Sequence, residues 1–185
     1  MSDVHSYVLG SVEFAAITDH YSGKKAKRTN IPYMQHIIEG LYALDALDAS
    51  VDARLAFCLH PLAERDEDLP RFNPLYASNP TVVMNVMEYR NTVNRYLPAH
   101  AEDGTRRPHL SPLRDVNLML IADKTQTRKD FELFQQVTNP ANARLLDAYF
   151  KNWLRVLGVT EDRYRALTSE MMERALQDLA KVWPT

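Results

Sequence analysis

The chain has 185 residues, of which 45% are hydrophobic, and this length supports one compact domain whose core is large enough to fold alone. Its formal net charge of −2 and its pI near 6.3 exclude a strong general attraction to nucleic acid or to an anionic membrane surface. The sequence has no apolar run of about 18 residues and no basic-then-apolar leader, which excludes a predicted transmembrane helix and a predicted signal peptide.

Helix starts are marked by a capping residue followed by proline in or near the first turn, as at Asn79-Pro80 and Ser111-Pro112. Between these starts the apolar residues recur at helical spacing, and only five glycines occur. The sequence therefore predicts an all-α fold, a compact single-domain bundle over residues 1–185 with about seven helices. We place them at 7–20, 32–48, 52–64, 80–97, 112–137, 140–157 and 161–182.

Two connections between these helices are long, at 66–79 and 98–110. Loops of about 12 residues in a compact domain are typical of functional lids or mobile segments. The last helix carries an apolar stripe that includes Tyr164, Leu167 and Met171. That stripe docks either on the core or on a second subunit, so a homo-oligomer is one of the two arrangements left open.

The helix predicted at 112–137 contains an acid at a position that should be apolar. Asp123 shares a helical face with Met119 and Leu120, which precede it by four and three residues. A carboxylate that points inward needs histidines, a metal or a hydrogen-bond network as partners, because burying it alone costs several kcal/mol. The alternative is a helix in which this acid tilts to solvent.

Two histidines lie on the inward faces of earlier helices. His36 is followed after one turn by Gly40, which lets another element approach closely, and His60 shares a face with Ala53, Ala56 and Phe57. Each histidine alone is also typical of a hydrogen-bonded core residue. Together with an inward Asp123 they predict a site for a divalent metal, Mn, Fe, Zn or Mg, because imidazole and carboxylate are ligands of these ions.

Four motifs in the same order resemble those of the HD phosphohydrolase superfamily, in its (p)ppGpp-hydrolase branch. TNIPYMQH at 29–36 is similar to the family's PYxxH helix entry, and HYSGKKAKR at 20–28 is similar to its H-x-G-Q-x-R-K loop. FCLHPLAE at 57–64 lies where the family has LLHDxxED, and LIADK at 120–124 where it has KLADR. The resemblance covers about residues 13–132 and leaves the helices at 140–185 unassigned.

The resemblance implies an HD-like fold, His36, His60 and Asp123 as metal ligands, and catalytic roles for Asp123 and for Glu64, which would position water. The chain departs from the family where Pro61 replaces the aspartate that follows the second histidine. Proline cannot bind a metal, and we expect the helix to bend or end within a turn of His60. The alternative for Glu64 is the start of a solvated charge run that ends the helix.

The basic loop supplies the predicted substrate contacts. Lys24, Lys25, Lys27 and Arg28 match the family's loop and would bind phosphate or stack on a base, whereas the alternative is a flexible solvated loop. The resemblance adds Lys124 and Thr127 to the substrate-binding residues, with Thr127 in place of the family's asparagine.

Two functions remain open. The first is a phosphohydrolase that acts on a nucleotide or a nucleotide-derived phosphate ester through a metal-activated water. The second is a catalytically degenerate HD-like protein that binds or sequesters a nucleotide or serves as an interaction module. In both, the expected partner is a nucleotide or another phosphorylated small molecule, with no membrane partner and no nucleic-acid patch. The single Cys58 agrees with a cytoplasmic location, because it cannot form an internal disulfide.

Overall fold

The computed structural model describes residues 3–26, 31–103, 106–135 and 140–182. Within these ranges the chain forms nine α-helices and no strand longer than one isolated bridge, which confirms the predicted all-helical class. No helix among the described residues is both long enough and apolar enough to cross a membrane. The helices are α1 (Asp3–Leu9), α2 (Val12–Tyr21), α3 (Tyr33–Ala46), α4 (Val51–Ala63), α5 (Pro80–Asn94), α6 (Pro98–Asp103), α7 (Arg114–Asp130), α8 (Pro140–Val156) and α9 (Glu161–Val182).

The described helices number two more than predicted. The predicted helix 7–20 is divided into α1 and α2, because the extended Ser11 caps a new helix by accepting the Phe14 N–H at 3.1 Å. The predicted loop 98–110 begins with the short helix α6, whose first residue is Pro98. Short turns occupy the other unpredicted positions: two 3-10 turns lie at Leu69–Arg71 and Pro74–Tyr76, and a π-helical turn at Phe131–Gln135 extends α7.

Helix α4 lies at the centre of the bundle and packs against α2, α3, α5 and α7. Its residues Ala56, Phe57, Cys58 and Leu59 are fully buried, as expected for a helix that is apolar on most sides. Helices α3, α4 and α7 also contact one another pairwise. Polar residues on their facing sides are therefore brought together inside the core.

The last helix docks on the core, which is the first of the two arrangements that the sequence left open for its apolar stripe. Helix α9 packs against α3 and α7, and its Tyr164, Leu167 and Met171 are buried. An ion pair adds to this contact, because Arg174 Nη1 lies 2.7 Å from Asp45 Oδ2 on α3.

Gly40 sets how closely α3 and α4 approach. A Cβ atom added at this position would overlap the ring of Phe57, as the sequence analysis expected of a glycine that admits a neighbouring element. We expect Gly40→Ala to lower the free energy of unfolding by about 1–3 kcal/mol, because overfilling a packed core displaces side chains and backbone. Urea denaturation monitored by circular dichroism measures this loss.

Gly10→Ala is the matched control. A Cβ at Gly10 would lie 3.6 Å from the Ser6 carbonyl oxygen, which is ordinary contact, so we expect a change within about 1 kcal/mol. Equal stabilities for the two variants would contradict the close packing of Gly40 on Phe57.

Candidate metal centre

Three helices bring two imidazoles and one carboxylate together in the core. His36 lies in the first turn of α3, His60 in the last turn of α4 and Asp123 midway along α7. One possible ligand atom from each of these residues lies within 4.8 Å of the other two. His36 Nε2 is 3.4 Å from His60 Nε2 and 3.6 Å from Asp123 Oδ1. The predicted convergence is confirmed, and we call these three residues the candidate metal centre.

Pro61 determines which nitrogen of His60 faces this centre. Proline has no N–H, so the carbonyl of Phe57 lacks the donor that a helix normally supplies four residues later. His60 Nδ1 lies 2.7 Å from this carbonyl oxygen. Because a carbonyl can only accept, Nδ1 carries the proton and Nε2 keeps its lone pair. Helix α4 continues through Pro61 and ends at Ala63, within the turn where we expected a bend or an end.

Gln126 determines which nitrogen of His36 faces the centre, as the Phe57 carbonyl does for His60. The side-chain amide of Gln126 donates from Nε2 to Glu39 Oε2 and to Asp130 Oδ2, both at 2.9 Å. Its Oε1 therefore faces His36 Nδ1, at 2.6 Å, and accepts a hydrogen bond from the N–H at that nitrogen. His36 Nε2 is left with its lone pair, like the same atom of His60. Metal-binding histidines almost always donate their other ring N–H to an acceptor in this way.

Two unprotonated nitrogens and a carboxylate oxygen thus face one another in the core, an arrangement that a bound cation satisfies. Two nitrogens held tetrahedrally by one zinc ion at about 2.05 Å are roughly 3.3 Å apart, close to the observed 3.4 Å between the two Nε2 atoms. Burial and next the proximity of His36 lower the pKa of His60 to about 3, so this imidazole is neutral near pH 7. The donor set and the spacing therefore fit a divalent metal.

Lys124, which the sequence analysis assigned to substrate binding, is instead the buried counter-ion of Asp123. The Lys124 side chain is 6% exposed, and its Nζ lies 2.6 Å from Asp123 Oδ2. The ammonium also faces the rings of Tyr149 and Trp153, 5.5 and 5.9 Å from their centroids. Burial opposes both charges, but their attraction holds the pKa of Asp123 well below its usual range and that of Lys124 well above it. Asp123 therefore stays ionised, with Oδ1 directed at His36.

Glu64 and Thr127 lie beside the candidate metal centre. The Thr127 hydroxyl donates to Asp123 Oδ1 at 3.3 Å. Glu64 follows the last residue of α4 and is half-buried, and its backbone carbonyl accepts from Asn94 Nδ2 at 3.3 Å. Burial and next the charge of Asp123 raise the pKa of Glu64. A carboxyl group with a raised pKa beside a cluster of possible metal ligands suits proton transfer.

The described part of the basic loop is a short hairpin that leads into α3. Its one bridge pairs Lys25 with Pro32, and the Tyr33 N–H donates to the Lys24 carbonyl at 3.1 Å. Lys24 and Lys25 are exposed. The other two predicted phosphate contacts, Lys27 and Arg28, lie outside the described residues.

A cavity of about 350 Å³ opens beside this hairpin. Lys24 and Leu62 both line it, and Leu62 belongs to the last turn of α4, which also carries His60. The remaining lining residues are Ala16, Asp19, His20, Asp68 and Tyr76. The cavity therefore lies between the basic loop and the last turn of α4, and its lining includes none of the three residues of the candidate metal centre.

The sequence analysis did not identify Glu39, Gln126 or Tyr89. Glu39 and Gln126 each lie three residues after a predicted ligand, so helical spacing was the available signal. Tyr89 on α5 is 1% exposed, and its ring centroid lies 4.8 Å from that of His60. Burial and next the charge of Asp123 raise its pKa well above the usual range. Its spacing on α5 is that of an ordinary core residue, so no sequence pattern points to it.

The low pKa of His60 predicts that acid destabilises the metal-free protein. An unfolded chain binds a proton at this residue below about pH 6.5, whereas the folded chain does not until about pH 3. Because the unfolded state holds more protons in this window, stability falls as the pH falls. We expect a loss of about 2 kcal/mol between pH 6.5 and pH 5, above the usual range of carboxyl titration. Urea denaturation of chelator-treated protein at several pH values measures it.

A His60→Gln variant provides the comparison for this pH dependence, because glutamine cannot titrate. The slope of stability against pH between about pH 5 and pH 6.5 should shrink in the variant, even though its stability at neutral pH is lower. The same slope in both proteins would show that His60 is not the residue whose protonation is suppressed by folding.

Comparison with known proteins adds no relative. No known family model, no curated protein and no solved structure matches the chain. The resemblance to HD phosphohydrolases therefore stays an interpretation that rests on the four sequence motifs and their order.

Proposed function

We propose that this chain is a metal-dependent phosphohydrolase that acts on a nucleotide or a nucleotide-derived phosphate ester. The observation that supports it most is the pair of histidine Nε2 lone pairs that face Asp123 Oδ1 inside the core. A divalent metal held by His36, His60 and Asp123 would supply a Lewis acid and lower the pKa of water. Three protein ligands leave positions free for water and substrate, as catalytic sites do and structural sites do not.

Glu64 is the proposed proton acceptor in this reaction. It follows α4, which carries His60, it is half-buried, and its pKa is raised by burial and by Asp123. General bases work best when their pKa lies near the operating pH, and a raised carboxyl pKa moves Glu64 in that direction. The Asn94 side chain donates a hydrogen bond to the backbone carbonyl of Glu64 and so helps to hold the backbone at this position.

Lys24 and Lys25 are the proposed contacts to phosphate. Both are exposed on the hairpin that leads into α3, and Lys24 lines the cavity of about 350 Å³. Their positive charges would neutralise phosphate oxygens, and the cavity offers room for the remainder of the substrate. The motif order that resembles HD phosphohydrolases supports the same class of substrate.

A second function is favoured by one observation, the presence of Pro61 where the resembled family has a metal-binding aspartate. In this alternative the chain keeps the pocket, binds or sequesters a nucleotide, and does not turn it over. The two functions differ in metal content and in turnover, so the same preparation distinguishes them.

The test is metal analysis of protein purified without chelator, combined with a phosphate-release screen over nucleoside triphosphates, cyclic nucleotides and (p)ppGpp. For a hydrolase we expect a bound divalent metal and turnover that Glu64→Gln lowers by about 100-fold or more without changing metal content. The matched control is Glu67→Gln, three residues away and exposed, which should leave turnover unchanged.

A binder would instead show no turnover but a nucleotide-dependent rise in melting temperature, because a ligand specific for the folded state stabilises it. Absence of both turnover and any such rise would overturn both functions.

A further inference from the structure

Tyr89 presents a buried hydroxyl group that the fold does not use. The residue is 1% exposed, its ring packs against that of His60, and its hydroxyl lies beside Asp123. The hydroxyl oxygen is buried and makes no hydrogen bond of normal geometry. Burying a hydroxyl without a partner is unfavourable, so such a group beside a cluster of possible metal ligands calls for an explanation, and a ligand that binds there is one.

Another tyrosine, just after the end of α5, has the hydrogen-bond partner that a buried hydroxyl group usually has. Tyr96 is also 1% exposed, but its hydroxyl accepts a hydrogen bond from Asn152 Nδ2 at 2.9 Å. The fold therefore provides a partner for one buried phenol and leaves the other, at the candidate metal centre, without one.

Asp123 lies beside the Tyr89 hydroxyl, and both of its carboxylate oxygens have other partners. Asp123 Oδ1 faces His36 and accepts from Thr127 at 3.3 Å, and Asp123 Oδ2 pairs with Lys124 at 2.6 Å. The Tyr89 hydroxyl lies beside this carboxylate without a hydrogen bond of normal geometry, so its O–H can turn to donate to a group that enters the centre. A neutral phenol is a hydrogen-bond donor, and phosphoryl oxygens are strong charged acceptors.

We propose that Tyr89 is a substrate-binding residue that donates its O–H to an oxygen of the phosphoryl group bound at the candidate metal centre. This inference rests on the proposed function, because it requires a phosphorylated ligand beside His36, His60 and Asp123. It assigns to α5 a contact that neither the basic loop nor the metal ligands provide.

The test uses inorganic phosphate as the probe and zinc-loaded full-length protein, with affinities measured by isothermal titration calorimetry. We expect Tyr89→Phe to weaken phosphate binding about 10-fold or more, the usual effect of losing one hydrogen bond to a charged group. Zinc affinity should stay within about twofold, because the phenol is not a ligand. The melting temperature of the metal-free variant should not fall, because the wild-type hydroxyl has no partner to lose.

Tyr96→Phe is the matched control, with the same chemical change at an equally buried tyrosine. It should lower the melting temperature, because the hydrogen bond with Asn152 is lost, and it should leave phosphate affinity unchanged.

Zinc-loaded Tyr89→Phe that binds phosphate as tightly as the wild type would overturn this inference alone. Loss of zinc binding in Tyr89→Phe would also overturn it, since the role would then be structural. A wild-type protein that takes up no zinc would overturn the proposed function and this inference with it.

Discussion

Asp123→Asn is expected to lower turnover and metal affinity by about 100-fold or more. The substitution removes the one negatively charged ligand of the candidate metal centre and leaves two neutral imidazoles, His36 and His60. Loss of a single group that contacts the metal or the developing charge commonly costs this much. Steady-state kinetics and metal titration of the same preparation measure both effects.

The same substitution leaves the buried ammonium of Lys124 without its carboxylate, so the variant is also expected to be less stable. The double variant Asp123→Asn with Lys124→Met removes both charges and separates the two consequences. It should recover a large part of the stability and none of the metal affinity. Asp147→Asn, the same change at a surface ion pair on α8, should leave turnover and metal affinity unchanged. Turnover that survives in Asp123→Asn would contradict the metal mechanism.

Lys129→Met is expected to cause the largest loss of stability, about 3–5 kcal/mol. Glu39 is 2% exposed, and Lys129 Nζ lies 2.6 Å from its Oε2. The remaining hydrogen bonds to this carboxylate come from the neutral amides of Gln126 at 2.9 Å and Gln35 at 3.0 Å. Removing the ammonium would therefore leave a buried charge without a counter-ion. Guanidinium denaturation at neutral pH measures the difference from the wild type.

Two further variants test whether the loss of stability comes from the unpaired charge of Glu39. The double variant Glu39→Leu with Lys129→Met should regain much of the lost stability, because apolar pairs often replace buried ion pairs at little cost. It should nevertheless bind metal more weakly, since Gln126 loses one of the two carboxylates that orient it toward His36. Lys151→Met at the half-exposed pair with Asp147 should change stability by less than about 1 kcal/mol. A similarly small effect at Lys129 would show that the Glu39 pair contributes little.

The three residues of the candidate metal centre were predictable because their chemistry conflicts with their positions. His36, His60 and Asp123 are polar residues on faces that helical spacing assigns to the core, so each required a partner. The helix starts were predictable for a similarly local reason, since caps such as Asn79 act within one turn. Both kinds of signal lie within a single helix, so they can be recognised without knowing how the helices pack.

The contacts behind these three residues were not predictable, because they depend on which helices meet. Gln126 on α7 contacts His36 on α3, 90 residues away along the chain, and nothing near either residue indicates the pair. Lys124 was assigned to substrate from its place in a motif, but its ammonium is buried against Asp123. Tyr89 has ordinary core spacing, and its place beside His60 is visible only in the packed structure.

Pro61 has a second consequence that the sequence analysis did not include. The resemblance interprets Pro61 as the loss of a metal ligand, because proline cannot bind a metal, and this interpretation stays a prediction. The same residue leaves the Phe57 carbonyl without its helical donor, and this carbonyl accepts a hydrogen bond from His60 Nδ1–H at 2.7 Å. Pro61 thus removes one possible ligand and orients another.

The central claim is that His36, His60 and Asp123 hold one divalent metal, and X-ray absorption spectroscopy of zinc-loaded protein tests it most directly. The account predicts one zinc per chain with imidazole nitrogens among its ligands at about 2.0 Å. It also predicts that the double variant His36→Ala with His60→Ala retains no zinc after dialysis. Wild-type protein that binds no zinc, or a double variant that retains one zinc per chain, would contradict the claim.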